Sequence, residues 1–198
     1  DDILLRARQA RDYFLLVGPP GTGKTSMALR YLVEEELTDT GTNILLMSYT
    51  NRAVDEICGM LCDAALPFMR MGNEYTCDER FRPYLIDHAI DDCPHLDVVR
   101  QNILDTRIIV GTTSGMQARS YIFGLKHFSV AIIDEASQIL EPNIVGLLAN
   151  HQGSQYATTL SINKFILIGD YKQLPAVVQQ DAGMSAVSDP LLLSIGLD

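Results

Sequence analysis

The fold of this chain is decided by Tyr13–Val17 and the adjoining Gly18-Pro19-Pro20-Gly21-Thr22-Gly23-Lys24-Thr25. The first five residues are apolar, and the next eight match the phosphate-binding pattern G-x-x-x-x-G-K-[ST]. Apolar residues with helical spacing follow at Ala28, Tyr31 and Leu32. A strand, a glycine-rich loop and a helix in this order predict a nucleotide-binding loop, whereas the pattern alone also fits a plain Gly/Pro-rich turn.

The residues of this loop predict contacts with ATP and Mg²⁺. Its glycines let backbone N–H groups turn toward the phosphates, and the amino end of the following helix adds its dipole. Lys24 can reach the β- and γ-phosphates, and the Thr25 hydroxyl can hold Mg²⁺. We therefore expect residues 18–25 to bind the phosphates of ATP.

Four further apolar runs resemble the first one and predict the rest of a sheet. They are Ile44–Tyr49, Arg107–Thr112, Val130–Asp134 and Lys164–Ile168. Each is nearly continuous in Leu, Ile or Val, which is typical of a parallel sheet covered on both faces. Because helical spacing separates the runs, we predict an α/β P-loop NTPase with a mostly parallel sheet and helices on both faces. The strand that ends at Asp134 should be central and lie next to the strand that leads into Gly18.

Two adjacent acids, Asp134 and Glu135, end one of these runs. An acid at the carboxyl end of a buried strand faces the crevice where α/β sheets bind ligands. Asp134 is therefore the candidate second ligand of Mg²⁺, and Glu135 is the candidate residue that polarises the attacking water. The other interpretation is an ordinary acidic turn after a strand.

The composition of the 198 residues indicates one soluble-type domain with a net charge of −10. Such a charge disfavours non-specific binding to nucleic acid or anionic membranes, although it leaves a local binding track open. Residues 59–106 hold nine acidic residues against four arginines and three prolines. We interpret this stretch as an acidic, mostly helical insertion at the sheet edge within a domain spanning residues 1–198.

The four cysteines, Cys58, Cys62, Cys77 and Cys93, lie in or beside this acidic stretch. A metal or iron–sulfur site is one interpretation, but no C-x-x-C pair is present. Reduced core thiols are favoured. The chain has no signal-peptide pattern and no apolar run of the ~18 residues that span a membrane, so we expect a cytoplasmic protein without a membrane partner.

Five motifs in a fixed order carry a resemblance to a known family. In addition to the phosphate loop, they are Ser48-Tyr49-Thr50-Asn51-Arg52-Ala53-Val54-Asp55, Val110-Gly111-Thr112-Thr113-Ser114, Asp134-Glu135-Ala136-Ser137-Gln138 and Gly169-Asp170-Tyr171-Lys172-Gln173-Leu174-Pro175. This set resembles the superfamily 1 helicases, in particular the branch that holds the nonsense-mediated-decay RNA helicase and the replication nuclease-helicase. The resemblance implies the first of two RecA-like motor domains, which couple ATP hydrolysis to movement along single-stranded nucleic acid.

The resemblance also implies roles for individual residues. Gln173 would sense the γ-phosphate, and small polar residues would contact the nucleic-acid backbone. These contact residues are Thr50, Asn51, Thr112, Thr113 and Ser114. Without the resemblance, these residues also have structural interpretations. Thr50 and Asn51 fit a helix cap, and the run Thr112-Thr113-Ser114 fits a strand-to-helix turn. Gln173 fits an ordinary loop residue. DNA is favoured over RNA, with 5′→3′ movement.

The chain departs from the family in two places. The family's adenine-recognising Gln lies farther upstream than Gln9, and the second motor domain does not follow Asp198. We therefore expect a piece of a longer helicase, whose second RecA-like domain is a partner of this one. The alternatives are a P-loop ATPase that remodels a protein and a module that binds ATP without hydrolysing it.

Overall fold

The computed structural model describes residues 2–18, 27–91, 95–148, 160–170 and 172 of the chain. Within them the helices are α1 (Asp2–Gln9), α2 (Leu29–Glu36), α3 (Asn51–Asp63), α4 (Ile86–Asp91), α5 (Leu96–Asp105), α6 (Thr113–Ala118), α7 (Tyr121–Leu125) and α8 (Glu141–Leu148). The strands are β1 (Tyr13–Val17), β2 (Ile44–Ser48), β3 (Met69–Arg70), β4 (Ile108–Thr112), β5 (Phe128–Ile133) and β6 (Ile162–Gly169). No described helix has both the length and the apolar content needed to cross a bilayer.

The six strands form one sheet in the order β1-β6-β5-β2-β4-β3, and every pair is parallel. The strand that ends before Asp134 is central, as expected. The prediction that it lies next to the strand leading into Gly18 is wrong, because β6 lies between β5 and β1. Ile166 of β6 pairs with Phe14 on one side and with Ile132 on the other. All predicted strands are apolar on both faces, so their pattern held no information about their order.

Helices cover both faces of the sheet and bury two apolar clusters. Along β2, Ile44 and Leu46 belong to one cluster, and Leu45 and Met47 belong to the other. The first cluster packs under α1, α2 and α3, whereas α5, α6, α7 and α8 contribute to the second. This alternation explains why the central strands carry apolar residues at nearly every position.

The segment between α3 and β4 supplies the edge strand β3, short 3-10 turns, α4 and α5. Residues 59–63 of the stretch predicted as an insertion belong to α3; the status of residues 59–106 as an insertion stays a prediction. Cys58 and Cys77 are buried free thiols and Cys62 is an exposed one, while Cys93 lies outside the described residues. The described residues contain no group of three or more His, Cys, Asp or Glu side chains placed to hold a metal ion.

Candidate nucleotide site

The parallel sheet brings the carboxyl ends of its strands to one edge. The residues there are Gly18 after β1, Ser48 at the end of β2, Thr112 at the end of β4, Asp134 after β5 and Asp170 after β6. In open α/β sheets, ligands bind in the crevice outside this edge. The topology thus assembles, at one place, residues that are up to 152 positions apart in the sequence.

The phosphate loop begins at this edge. The Gly18 backbone N–H donates to the Gly169 carbonyl oxygen at 3.2 Å, which ties the start of the loop to the end of β6. Pro19, Pro20, Gly21, Thr22, Gly23, Lys24 and Thr25 lie outside the described residues, as does Gln173. The described chain resumes at Met27 and enters α2, so a strand precedes and a helix follows residues 19–26, as the sequence predicted.

Asp134 lies beside the end of β2 and is 3% exposed. Its backbone N–H donates to the Met47 carbonyl at 2.8 Å, and its Oδ1 accepts from the Glu135 backbone N–H at 3.0 Å. The other oxygen, Oδ2, is buried and accepts no hydrogen bond from any residue that the structure describes. A buried carboxylate oxygen without a partner is costly unless a cation or water meets it. Asp134 therefore fits an Mg²⁺ ligand, since Mg²⁺ prefers carboxylate oxygens.

Glu135 adopts a left-handed backbone conformation, with φ 54° and ψ 32°. This region is uncommon for residues other than glycine, and it starts the 3-10 turn Ala136–Gln138. Burial and the neighbouring Asp134 carboxylate raise the pKa of Glu135, and a hydrogen bond from Ser48 opposes the rise. A half-buried carboxylate with such surroundings has the properties of a functional acid or base.

Ser48 connects these two acids to β2. Its side chain is fully buried, and its hydroxyl lies 3.2 Å from the Asp134 carbonyl oxygen and 3.4 Å from Oε2 of Glu135. Ser48 lies within one of the five motifs, but its local sequence predicts no role for it. Its proximity to Glu135 follows from the pairing of β2 with β5, and no local sequence pattern reveals that pairing.

The turn after β5 also contacts the end of β6. Ser137 Oγ accepts from the Asp170 backbone N–H at 3.3 Å. A Cβ atom at Gly169 would lie 3.1 Å from the Ser137 backbone nitrogen, so glycine allows this close approach. Asp170 is buried, and its Oδ1 accepts from the Lys172 backbone N–H at 2.9 Å. The motif that contains Ser137 and the motif that contains Asp170 are therefore in direct contact.

The polar residues expected to contact nucleic acid begin two helices at the same edge. Thr50 caps α3 by accepting from the Ala53 N–H at 3.1 Å, and Asn51 is the first residue of that helix. Thr112 caps α6 by accepting from the Gly115 N–H at 3.0 Å.

The side chains of the run Thr112–Ser114 differ in their exposure to solvent. Ser114 is exposed and its Oγ lies 3.4 Å from Thr112 Oγ1, whereas Thr113 is 1% exposed. A ligand on this surface therefore meets Thr112 and Ser114 first.

A protein-family model described as AAA domain matches residues 1–97 and 95–181. The chain is 34% identical over 176 residues to the DNA replication ATP-dependent helicase/nuclease JHS1 of Arabidopsis thaliana, and 32% identical over 177 and 178 residues to DNA2 of Saccharomyces cerevisiae and Homo sapiens. These matches cover 85–89% of the chain but only 11–15% of the relatives. They confirm the resemblance to the branch of the replication nuclease-helicase.

Solved structures confirm the fold. The chain superposes on two crystal structures of the UvsW helicase of bacteriophage T4 with TM-scores of 0.56 and 0.53, each at 15% identity. Both superpositions cover 85% of the chain, and they cover 28% and 50% of the respective UvsW chains. The predicted RecA-like α/β fold, with a parallel sheet and helices on both faces, is therefore confirmed.

Proposed function

The chain belongs to the AAA domain family, and on that premise we propose that it is the first motor domain of an ATP-dependent DNA helicase. The observation that carries this proposal is the arrangement at the carboxyl edge of the sheet. There, a buried Asp134, whose Oδ2 has no hydrogen-bond partner among the described residues, and the adjacent Glu135 follow β5, and β6 alone separates β5 from the strand that leads into the phosphate loop. The spacing of neighbouring strands places β5 roughly 10 Å from β1, which is within the span of a triphosphate and its metal ion.

The chain's own residues divide the work on ATP among them. Backbone N–H groups of residues 18–25 bind the phosphates, and Lys24 contacts the β- and γ-phosphates. Thr25 and Asp134 hold Mg²⁺, which when bound offsets the negative charge of the phosphates. Glu135 orients and polarises the attacking water, and Gln173 senses the γ-phosphate.

Single-stranded DNA is the proposed track, with RNA as the less favoured alternative. The names of the relatives, DNA replication ATP-dependent helicase/nucleases, support DNA. Thr50, Asn51, Thr112 and Ser114 offer small polar groups that contact a backbone without reading sequence. Thr113 joins this set through its backbone, since its side chain is buried. Movement in the 5′→3′ direction and a cytoplasmic location stay predictions.

A second RecA-like domain of the same parent protein completes the machinery in this proposal. The net charge of −10 leaves this domain poorly suited to hold a polyanion by itself. The second domain supplies an arginine finger and further basic contacts to the strand.

The experiment measures ATP hydrolysis by the full-length protein with and without single-stranded DNA. We expect single-stranded DNA to stimulate ATP hydrolysis. Lys24→Ala should abolish both this hydrolysis and tight ATP binding. Glu135→Gln should abolish the hydrolysis but leave ATP binding intact. Glu34→Gln, an equivalent change on the surface of α2, serves as the matched control and should behave like wild type. Hydrolysis stimulated by a protein partner but not by DNA would favour a protein-remodelling ATPase and would refute the proposal.

A further inference from the structure

Ser48 occupies a position where three strands end side by side. It is the last residue of β2 and pairs with Thr112 at the end of β4. On its other side, Met47 pairs with Ile133 and its carbonyl accepts from the Asp134 N–H. A fully buried hydroxyl needs acceptors, and Ser48 finds the Asp134 carbonyl at 3.2 Å and Glu135 Oε2 at 3.4 Å.

Glu135 lies in the turn that Ser48 contacts. It is the residue between the rigid strand β5 and the 3-10 turn Ala136–Gln138, and its left-handed conformation aims the side chain across the turn toward β2. A carboxylate that polarises water must be held within a fraction of an ångström of its working position. The Ser48 hydroxyl has one hydrogen, which it shares between the Asp134 carbonyl and the Glu135 carboxylate, so it links the turn to the side chain.

We propose that Ser48 is a positioning residue, whose hydroxyl holds the Glu135 carboxylate at the nucleotide edge. This inference rests on the proposed function, in which Glu135 polarises the water that attacks ATP. Ser48 itself touches neither ATP nor water in this proposal, and it acts through Glu135. Thr50, a proposed nucleic-acid contact at the start of α3, follows Ser48 by two residues. The same short stretch therefore carries Thr50 and the serine that contacts the Glu135 carboxylate.

The test compares Ser48→Ala with Ser161→Ala in the full-length protein. Ser161 is the matched control, because it is equally buried and donates to a backbone carbonyl, that of Phe123, at 3.2 Å. We expect Ser48→Ala to lower kcat of strand-stimulated hydrolysis about tenfold while the KM for ATP changes less than twofold. Ser161→Ala should keep wild-type kcat, and Ser48→Thr, which retains a hydroxyl, should recover most of the loss.

A double-mutant cycle with Glu135→Asp, which keeps a carboxylate and should keep measurable hydrolysis but withdraws it from Ser48, tests whether Ser48 acts through Glu135. In the Glu135→Asp background, Ser48→Ala should cause no further loss in kcat. A further tenfold loss there, wild-type kcat in Ser48→Ala alone, or an equal loss in Ser161→Ala would each overturn the inference while leaving the proposed function intact. Wild-type hydrolysis by Glu135→Gln would instead refute the role of Glu135 in the proposed function.

Discussion

At the residue scale, function and stability make opposite demands on the acids after β5. Asp134 is buried with one oxygen unpartnered among the described residues, and Glu135 adopts a left-handed backbone. A left-handed backbone at a residue other than glycine costs free energy, and so does a buried carboxylate oxygen that no group meets. Such local costs are typical of sites whose residues are arranged for a ligand rather than for the stability of the chain.

Asp134→Asn should therefore separate stability from function. The amide keeps an acceptor for the Glu135 N–H and removes a buried charge, so we expect the free energy of unfolding without ligand to rise by about 1 kcal/mol. Wild type should be more stable with ATP and Mg²⁺ than with ATP and EDTA. This difference should disappear in Asp134→Asn. Thermal unfolding under the two conditions measures both effects, with the exposed Asp105→Asn as control. Undiminished Mg²⁺-dependent stabilisation in Asp134→Asn would contradict the assignment of Asp134 as a ligand.

Lys126 gives a prediction for the pH dependence of stability. It is 2% exposed and donates to the Leu104 carbonyl at 2.5 Å, and burial lowers its pKa from 10.5 to about 8. Between these two values the unfolded chain binds more protons than the folded chain, so stability rises with pH in this window. Relative to Lys126→Met, wild type should gain about 1 kcal/mol of unfolding free energy between pH 7 and pH 9. Urea unfolding at both pH values measures this difference, and parallel pH profiles would contradict the prediction.

At the element scale, one buried ion pair connects α3 to the edge of the sheet. Arg70 of β3 is fully buried, and its Nη1 donates to Asp55 of α3. The Asp78 backbone N–H donates to the other oxygen of Asp55 at 3.4 Å, so the same carboxylate also fixes the 3-10 turn that follows. A single side chain on α3 thus contacts both β3 and Asp78, which begins a 3-10 turn.

Asp55→Ala should destabilise the chain far more than its partial exposure suggests. Removing the carboxylate leaves the Arg70 guanidinium buried without its charged partner, which costs about 3–5 kcal/mol. Asp63→Ala, at the exposed end of the same helix, should change stability by less than about 0.5 kcal/mol. Replacing both members of the pair, with Asp55→Leu and Arg70→Met, should recover most of the loss. Chemical denaturation of the variants compares these values, and equal effects of Asp55→Ala and Asp63→Ala would contradict the role of the pair.

Thr50 has two roles to separate, because it caps α3 and is also a proposed DNA contact. Thr50→Asp keeps an N-cap acceptor but adds a negative charge, whereas Thr50→Ala removes the cap at a cost of about 1 kcal/mol. We expect Thr50→Asp to retain stability and to weaken single-strand binding at least tenfold, since the new charge faces phosphates. Thermal unfolding and fluorescence anisotropy with a labelled oligonucleotide measure the two effects. Unchanged DNA affinity in Thr50→Asp would leave Thr50 as a cap alone.

At the scale of the whole molecule, the sequence predicted which segments form strands better than it predicted how those strands are ordered in the sheet. The predicted strands agree with β1, β2, β4, β5 and β6 to within two residues at each end, because their apolar runs are continuous. The two-residue strand β3 was missed, since it is short and contains Arg70, whose burial depends on Asp55. Strand order and the contact of Ser48 with Glu135 were also missed, because both depend on pairing between distant segments. The local sequence pattern indicates that a segment is buried, but it does not indicate which distant segment packs against it.

In the proposed function the active site takes groups from two motor domains, and Asp134, Glu135 and the phosphate loop belong to one of them. The 198-residue chain should therefore bind ATP but hydrolyse it slowly, and single-stranded DNA should change that rate less than twofold. Its net charge of −10 should make strand binding weak and steeply dependent on salt.

Joining the chain to the second motor domain of its parent should restore strand-stimulated hydrolysis, with a gain of roughly 10³-fold or more if that domain supplies an arginine finger. Steady-state hydrolysis by both proteins, each with and without an oligonucleotide, measures the effect. Lys24→Ala in the two-domain protein is the control for contaminating ATPases, because it removes the contact to the β- and γ-phosphates. Rapid, strand-dependent hydrolysis by the 198 residues alone would show that one domain contains the complete site, and the division of the site between two domains would then be wrong.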